Sequence, residues 1–559
     1  MRKERIIRFV KMAPAIFVLL LFTGISCGAA LRLPGIFGDN MILQRDTNVP
    51  VWGWADPGEK VTVSVAGQTK DAVADSNGKW MVKLDPLEAS STPQTMTVSS
   101  SEISKSPNLQ IENILVGDVW VCCGQSNMFM YIAGLPNWNA VAAKADYPKI
   151  RFMNQAATAA LEPQTDLVRV NKNGWEICTP KSVPALTAVG YYFGKELHTT
   201  LNVPIGLISN SLSGSVAEAW TSREALQSDP ELNVSLDVWD KYLQKYASIM
   251  LEQTLPTLQT WAKLAEQAKS SGQPLPMPPT QELLRYPVLS SNAANPPTSP
   301  NKLSFPFDPR TDADVNWRMA TGLYNGTIMP LTPFAIKGVI WYQGEHNADH
   351  PVQYRKLLPA MITSWRKAWG QGDFPFLIVQ LPNYYAQVPD PQESAWAMTR
   401  EAQCMTLSLP NTGIAVTIDV GEAADIHPKN KLDVGKRLAL TALGKVYGQK
   451  IGYSGPVYDK MEIQNDSILL HFSHVGSGLV SKDGGQLKGF AICGTDRKFV
   501  WANASVVTSA SSGAADTIVV RSDKISKPES VRYAWANNPV CNLTNDTGLP
   551  ACPFRTDNW

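Results

Sequence analysis

Five nearly continuous apolar runs decide what this chain can fold into. They read "NILVGDVWVCC" (113–123), "PIGLISN" (204–210), "IKGVIWY" (336–342), "FPFLIVQL" (374–381) and "GIAVTID" (413–419). A strand with one face in water alternates apolar and polar residues. These runs have no wet face and fit strands covered on both sides, as in a parallel sheet. Helical patterns such as "YRKLLPAMITSWRKAWG" and "ESAWAMTREAQCMTL" lie between them. The alternation predicts an α/β domain, a doubly wound parallel sheet, over residues 109–450.

The flanks read differently. Residues 31–108 hold short segments, "VPVWGWA", "KVTVSVAG", "KWMVKL" and "QTMTVSS", separated by turns at Asp56-Pro57-Gly58 and Ser76-Asn77-Gly78. Such spacing predicts a small N-terminal β-sandwich. Alternation returns over 451–559 in "SILLHFSHV", "FVWANASVV" and "DTIVVRS", so a C-terminal β module and tail are expected there. All-β modules thus flank the α/β domain at both ends. Residues 223–319 interrupt it, first helix-like and then rich in Pro, Ser and Asn. This insertion is expected to cover or border the active site.

The first thirty residues are set aside from the fold. Arg2, Lys3, Arg5, Arg8 and Lys11 precede an apolar stretch from Ala13 to Ser26, and Gly28-Ala29-Ala30 offers a small-residue cleavage site. This pattern predicts a signal peptide over 1–30 and export to the periplasm, the cell surface or the medium. Cys27 offers an alternative, a lipid anchor, although Gly24 stands where a lipidation signal usually has leucine. No later stretch reaches the roughly twenty apolar residues that a membrane span needs.

Charge and cysteine usage exclude several classes. A net charge of +1 with no basic tract gives no reason to expect a nucleic-acid partner. With Cys27 in the leader, seven cysteines remain, an odd number without metal-ligand spacing. That argues against a disulfide framework or a zinc site. Cys541 and Cys552, both in the tail, are the one pair expected to bridge.

Ligands of open α/β sheets bind beyond the carboxyl ends of the strands. There the sequence places Gly124-Gln125-Ser126-Asn127, a sharp polar turn that would expose the Ser126 hydroxyl. It is not a G-x-S-x-G elbow, because Met128 occupies the last glycine's position. Alone, such a turn is more often structural than catalytic. A nucleophilic serine needs a base, and of the six histidines His427 stands out, just past "GIAVTID" in "DIHP". Pro428 fits the first position of a helix running to about Gly448. Asp425, two residues before His427, can lie beside the ring and hold it. His471 and His474 flank strand positions, and His198 ends a helix; His346 and His350 sit near a third strand end.

That third strand end carries Gln343-Gly344-Glu345-His346-Asn347, and "GLISNSLSGSVAEAW" puts Gly214 in a small-residue loop before a helix. Donors for an oxyanion can come from these loops. The Ser126 N–H would point into the site, the Gly214 N–H would be unhindered, and the side chains at 343–347 can donate, accept or titrate.

Assembled, "VGDVWVCCGQSNM", "GLISNSLSGSVAEAWTS", "GVIWYQGEHNA", "DIHPKNKLDVGKRLA" and "VRYAWANNPVCNLTNDTGLPACPFRTD" resemble the sialate O-acetylesterase family of the SGNH hydrolase superfamily, over nearly the whole mature chain. The resemblance implies an SGNH-type fold and a serine esterase removing O-acetyl groups from sialic acids or related sugars, with no metal or other cofactor. It gives Ser126 the nucleophile's position and His427 the base's. It implies the Ser126 N–H, the Gly214 N–H and the side chain of Gln343 or Asn347 as oxyanion donors, with Gln125, Asn127, Trp341 and His346 as candidate substrate contacts. Three departures stand out. Ser213-Gly214 replaces a usual Gly-Gly pair, and His346 stands where serine is common. Asp425 lies two residues before the histidine rather than three, so Glu345 is a rival orienting acid. Acetylxylan or pectin esterase activity would use the same chemistry. The reading from another class is a non-catalytic sugar-binding protein exploiting the many tryptophans.

Overall fold

The computed structural model describes residues 31–101, 108–167, 170–271, 273, 318–508, 513 and 515–559. The expected leader and most of the polar half of the 223–319 insertion lie outside the described residues.

The N-terminal strands are β1 (Ile42–Gln44), β2 (Val49–Trp54), β3 (Lys60–Val65), β4 (Gln68–Val73), β5 (Lys79–Leu84) and β6 (Ser90–Ser100). β2 pairs with β5, while β3 pairs with β4 and β6. β5 alternates exposed and buried residues, as a strand with one wet face should. The α/β region contributes β7 (Leu109–Gly124), β8 (Tyr147–Gln155), β9 (Val170–Cys178), β10 (Ile205–Ser211), β11 (Gly338–Tyr342), β12 (Phe376–Val379) and β13 (Thr412–Ala415). Their order is β13-β12-β11-β7-β10-β8-β9, and every neighbour pairs in parallel except the edge strand β9. β10, β11, β12 and β13 are buried at every position, as the apolar runs require.

β7 belongs to two sheets. Its first half pairs with β6 and β1, and its second half with β10 and β11. At the crossover sits Asp118, fully buried. Its carboxylate accepts two hydrogen bonds from Arg45 at 3.0 Å and one from the Tyr447 hydroxyl at 2.9 Å. A buried carboxylate is tolerable only with such partners, and these come from the N-terminal module and from beyond the last helix of the α/β domain.

The helices that matter here are α1 (Ser126–Phe129), α2 (Ala188–Leu201), α3 (Pro230–Ser270), α4 (Pro351–Trp369), α5 (Ala395–Met405) and α6 (Lys431–Lys445). Alternate β7 residues enter different cores. Trp120 and Cys122 join Val189, Phe193 and Leu438 on one face; Val121 and Cys123 join Trp341, Leu357 and Trp365 on the other. The C-terminal module is antiparallel, with one four-stranded sheet of Val457–Gln464, Ser467–Ser473, Thr517–Arg521 and Asn503–Val507, and a second around Phe490–Cys493 and Ser530–Tyr533. No helix among the described residues is long and apolar enough to cross a membrane.

Two expectations need correction. α6 starts at Lys431, not Pro428, because the Asn430 side chain accepts from the Asp433 N–H at 3.1 Å and caps the helix there. The disulfide joins Cys404 to Cys552, while Cys541 is free. Cys404 lies in α5, so the bridge pins the tail to the α/β domain instead of closing a small loop within the tail.

Gly124 ends β7 at φ +146°, and a Cβ there would sit 2.1 Å from the Tyr342 carbonyl oxygen of β11. Only glycine fits both constraints. Gly124→Ala is expected to lose at least about 2 kcal/mol of stability, read as a fall in the urea midpoint; an unchanged midpoint would contradict this account of the turn.

Candidate active site

The carboxyl ends of β7, β10 and β11 adjoin, because β7 lies between the other two. β7 runs into the Gly124 turn, where the Gln125 N–H donates to the Tyr342 carbonyl at 3.0 Å. Ser126 follows as the first residue of α1. The loop after β13 brings in His427, whose Nε2 lies 2.8 Å from Ser126 Oγ. Residues 301 positions apart are thereby in hydrogen-bond contact, the relation a general base must have to its nucleophile.

Burial pulls the His427 pKa below its ordinary value, partly offset by Asp425, while Lys431 and Lys429 push it further down. Asp425 Oδ1 accepts the His427 backbone N–H at 2.8 Å and lies 3.7 Å from Nδ1. The second distance is an ion-pair separation, too long for a hydrogen bond. Asp425 Oδ2 pairs with Lys429 Nζ at 3.1 Å. Glu345 does not reach His427 in this way. It is buried and accepts from Asn127 Nδ2 at 2.5 Å. Asp425 therefore holds the place beside the imidazole, and Glu345 stands behind the Ser126 turn.

Above Ser126 and His427 opens a cleft of about 620 Å³, within the range of small-molecule sites. Gln125, Gly214, His346 and the side chains of Phe129 and Tyr131 line it. The two aromatic rings lie 4.8 Å apart. Gly214 adopts φ +74°. Among the described residues neither the Ser126 nor the Gly214 backbone N–H donates to a protein acceptor, so both remain available to a ligand oxygen. None of the described insertion residues lines this cleft; α3 instead packs on α4, where Lys356 Nζ pairs with Glu231 at 2.9 Å and Asp229 at 3.2 Å.

The two side-chain donors expected for the oxyanion are committed elsewhere. Gln343 Nε2 donates to Asn347 Oδ1 at 2.7 Å and to the Ser215 carbonyl at 3.2 Å. Asn347 Oδ1 also accepts the Ala217 N–H, and its Nδ2 donates to Glu218. These buried amides lace the Gly214 loop to the loop after β11 instead of facing the cleft. Trp341 is fully buried between Trp220, Trp365 and Phe376, and Asn127 is fully buried as well. Neither can touch a substrate, so both are corrected to interior roles; Gln125 and His346 do line the cleft. Cys122 and Cys123 are fully buried on opposite faces, and burial pushes both thiols up. A thiol so placed is neither ionised nor accessible.

Sequence reasoning missed Phe129, Tyr131 and Lys431. The first two follow the Ser126 turn too closely to show a pattern of their own. Lys431 in "DIHPKNK" reads as a solvated charge at a helix start, yet it is fully buried. The loop bearing His427 is braced from the C-terminal module. Asn383 accepts the Gly421 N–H at 2.7 Å and donates to Asn538 at 2.9 Å. Beside it the buried Arg400 donates to the carbonyls of Leu381, Pro382, Ala536 and Asn537 at 2.7–2.9 Å.

A family model described as "Carbohydrate esterase, sialic acid-specific acetylesterase" matches residues 313–444. The rat sialate O-acetylesterase is 28% identical, with 96% of this chain and 97% of the rat protein covered. The human sialate O-acetylesterase is 26% identical, covering 96% of this chain and 94% of its own length. The crystal structure of XAC1771, a carbohydrate acetylesterase from Xanthomonas citri, superposes with a TM-score of 0.74 at 34% identity, covering 95% of this chain and 100% of that one.

A base must be neutral to accept a proton, and a lowered pKa keeps His427 neutral to lower pH. The acid limb of kcat/KM is therefore expected below about pH 6.5, the ordinary histidine value. Asp425→Asn removes a carboxylate that raises the ring's pKa. The limb should move lower still while kcat falls about tenfold or more. A limb that stays in place would remove Asp425 from this role.

Proposed function

The chain belongs to the sialate O-acetylesterase family, and from that premise we propose that it removes O-acetyl groups from sialic acids through an acetyl-Ser126 intermediate. The observation that carries this reading is the 2.8 Å contact between His427 Nε2 and Ser126 Oγ at the floor of a cleft large enough for a sugar.

His427 Nε2 takes the hydroxyl proton as Ser126 Oγ attacks the acetyl carbonyl carbon. The Ser126 and Gly214 N–H groups stabilise the resulting oxyanion. Collapse breaks the bond to the sugar oxygen, which leaves with the proton from His427. A water molecule then gives its proton to His427 and attacks the acetyl-serine. Acetate departs, and Ser126 Oγ recovers the proton. Asp425 stabilises the imidazolium that forms in each half-reaction. Phe129 and Tyr131 offer apolar surface for a sugar ring, and His346 and Gln125 offer polar contacts.

Action outside the cytoplasm is part of the same proposal. Its supports are the leader-like segment over 1–30, with Cys27 as the alternative lipid anchor, and the Cys404–Cys552 disulfide, a crosslink that persists in oxidising compartments.

The test is acetate release from O-acetylated sialic acids, with acetylated xylan and pectin fragments in parallel. Ser126→Ala is expected to lower turnover about a thousandfold or more, and Cys123→Ala to retain it. The reverse pattern would assign the chemistry to the thiol. Faster release from xylan or pectin would move the substrate class.

A further inference from the structure

Behind the Ser126–His427 pair lies a buried group of charges that the reaction itself does not use. Asn127, next to Ser126, donates from Nδ2 to Glu345 Oε1 at 2.5 Å and to the Ile426 carbonyl at 2.9 Å. Its Oδ1 accepts from Lys431 Nζ at 2.5 Å. An amide has one accepting end and one end with two N–H groups, and here the two ends are matched to their partners. A flipped amide would set oxygen against two acceptors and N–H against an ammonium. Lys431 thus fixes which way Asn127 points.

The position of this amide matters more than its satisfaction. Asn127 adjoins the nucleophile in sequence, and Ile426 adjoins the base. The Asn127–Ile426 hydrogen bond therefore clips the turn carrying Ser126 to the loop carrying His427. Lys431 also lies 5.1 Å over the Tyr342 ring, and Tyr342 supplies the carbonyl on which the Gly124 turn closes. Glu345 Oε2 has no hydrogen-bond partner among the described residues, so that carboxylate is held by Asn127 and by the field of Lys431. Burying a lysine and a glutamate is costly unless each is compensated, and this pair is compensated through a single amide.

Resting on the assignment of Ser126 and His427 above, we propose that Lys431, Asn127 and Glu345 are positioning residues that hold the nucleophile and base in register, with Lys431 acting through the Asn127 amide. Loss of the ammonium frees Asn127 to turn, which breaks the clip at Ile426 and loosens the 2.8 Å contact. Misplacement of reacting groups by about 1 Å costs up to roughly a hundredfold in rate. None of Asn127, Lys431 and Glu345 lines the cleft, so KM is expected to change far less than kcat.

The experiment compares Lys431→Met, Asn127→Ala, their double variant and Ser126→Ala in the full chain, by acetate release and thermal unfolding. Lys431→Met is expected to lower kcat about tenfold or more while KM stays within about twofold. The double variant should be no slower than Asn127→Ala alone, because both changes act through one amide. Should the unpaired Glu345 prevent Lys431→Met from folding, Lys431→Met/Glu345→Gln removes both charges and is read in the same way. Wild-type kcat in whichever of these folds, or losses that multiply in the Asn127→Ala/Lys431→Met variant, would overturn the proposal. Turnover retained by Ser126→Ala would instead defeat the assignment on which it rests.

Discussion

The closure of β7 over the Tyr342 carbonyl is the constraint on which the site depends. Gly124 brings the two backbones within a distance that no side chain tolerates, and the Gln125 N–H seals the contact. The same turn receives β10, since the Leu212 N–H donates to the Gly124 carbonyl at 3.1 Å. Three strand ends are thereby fixed to one glycine, and the loops they feed carry Ser126, Gly214 and Glu345. The placement of Ser126 is a property of the sheet more than of its own loop.

Polar side chains around the site divide by the direction they face. Gln343, Asn347 and Asn127 lie beneath the cleft floor and spend their hydrogen bonds on neighbouring loops. Among the described residues the main-chain N–H groups of Ser126 and Gly214 donate to no protein acceptor. The division suits a reaction in which charge develops on one oxygen, because backbone donors held by braced loops need little reorganisation when that charge appears. The His427 loop depends on the same economy, with Asn383 linking it to the C-terminal module.

The apolar runs made the parallel sheet legible, because burial on both faces leaves no room for polar alternation. Ser126, His427, Asp425 and Gly214 stood out as candidates because ligands gather at strand ends in such a sheet, and the structure brings Ser126, His427 and Asp425 together. What stayed hidden depended on contacts distant in sequence. Trp341 lies in a run ending at the site, and only the packing of Trp220 and Trp365 shows that it faces the core. Gln343 and Asn347 had the right chemistry for an oxyanion donor, but the loop from β10 claims them first. Cys552 pairs with Cys404, 148 residues away, a choice set by the docking of the tail on α5. Lys431 carries no local sign of burial, since a lysine in a first helical turn ordinarily faces water.

The double membership of β7 sets where this protein can be divided. Ile42 lies opposite Leu115 in one sheet, and Val121 lies between Ile208 and Val339 in the other, on one unbroken strand. A chain beginning at residue 109 would leave the first half of β7 without β6 and β1, and a chain ending there would take β7 from the N-terminal sheet. The N-terminal β module is thus no appendage, since it shares an unbroken strand with the sheet that carries Ser126.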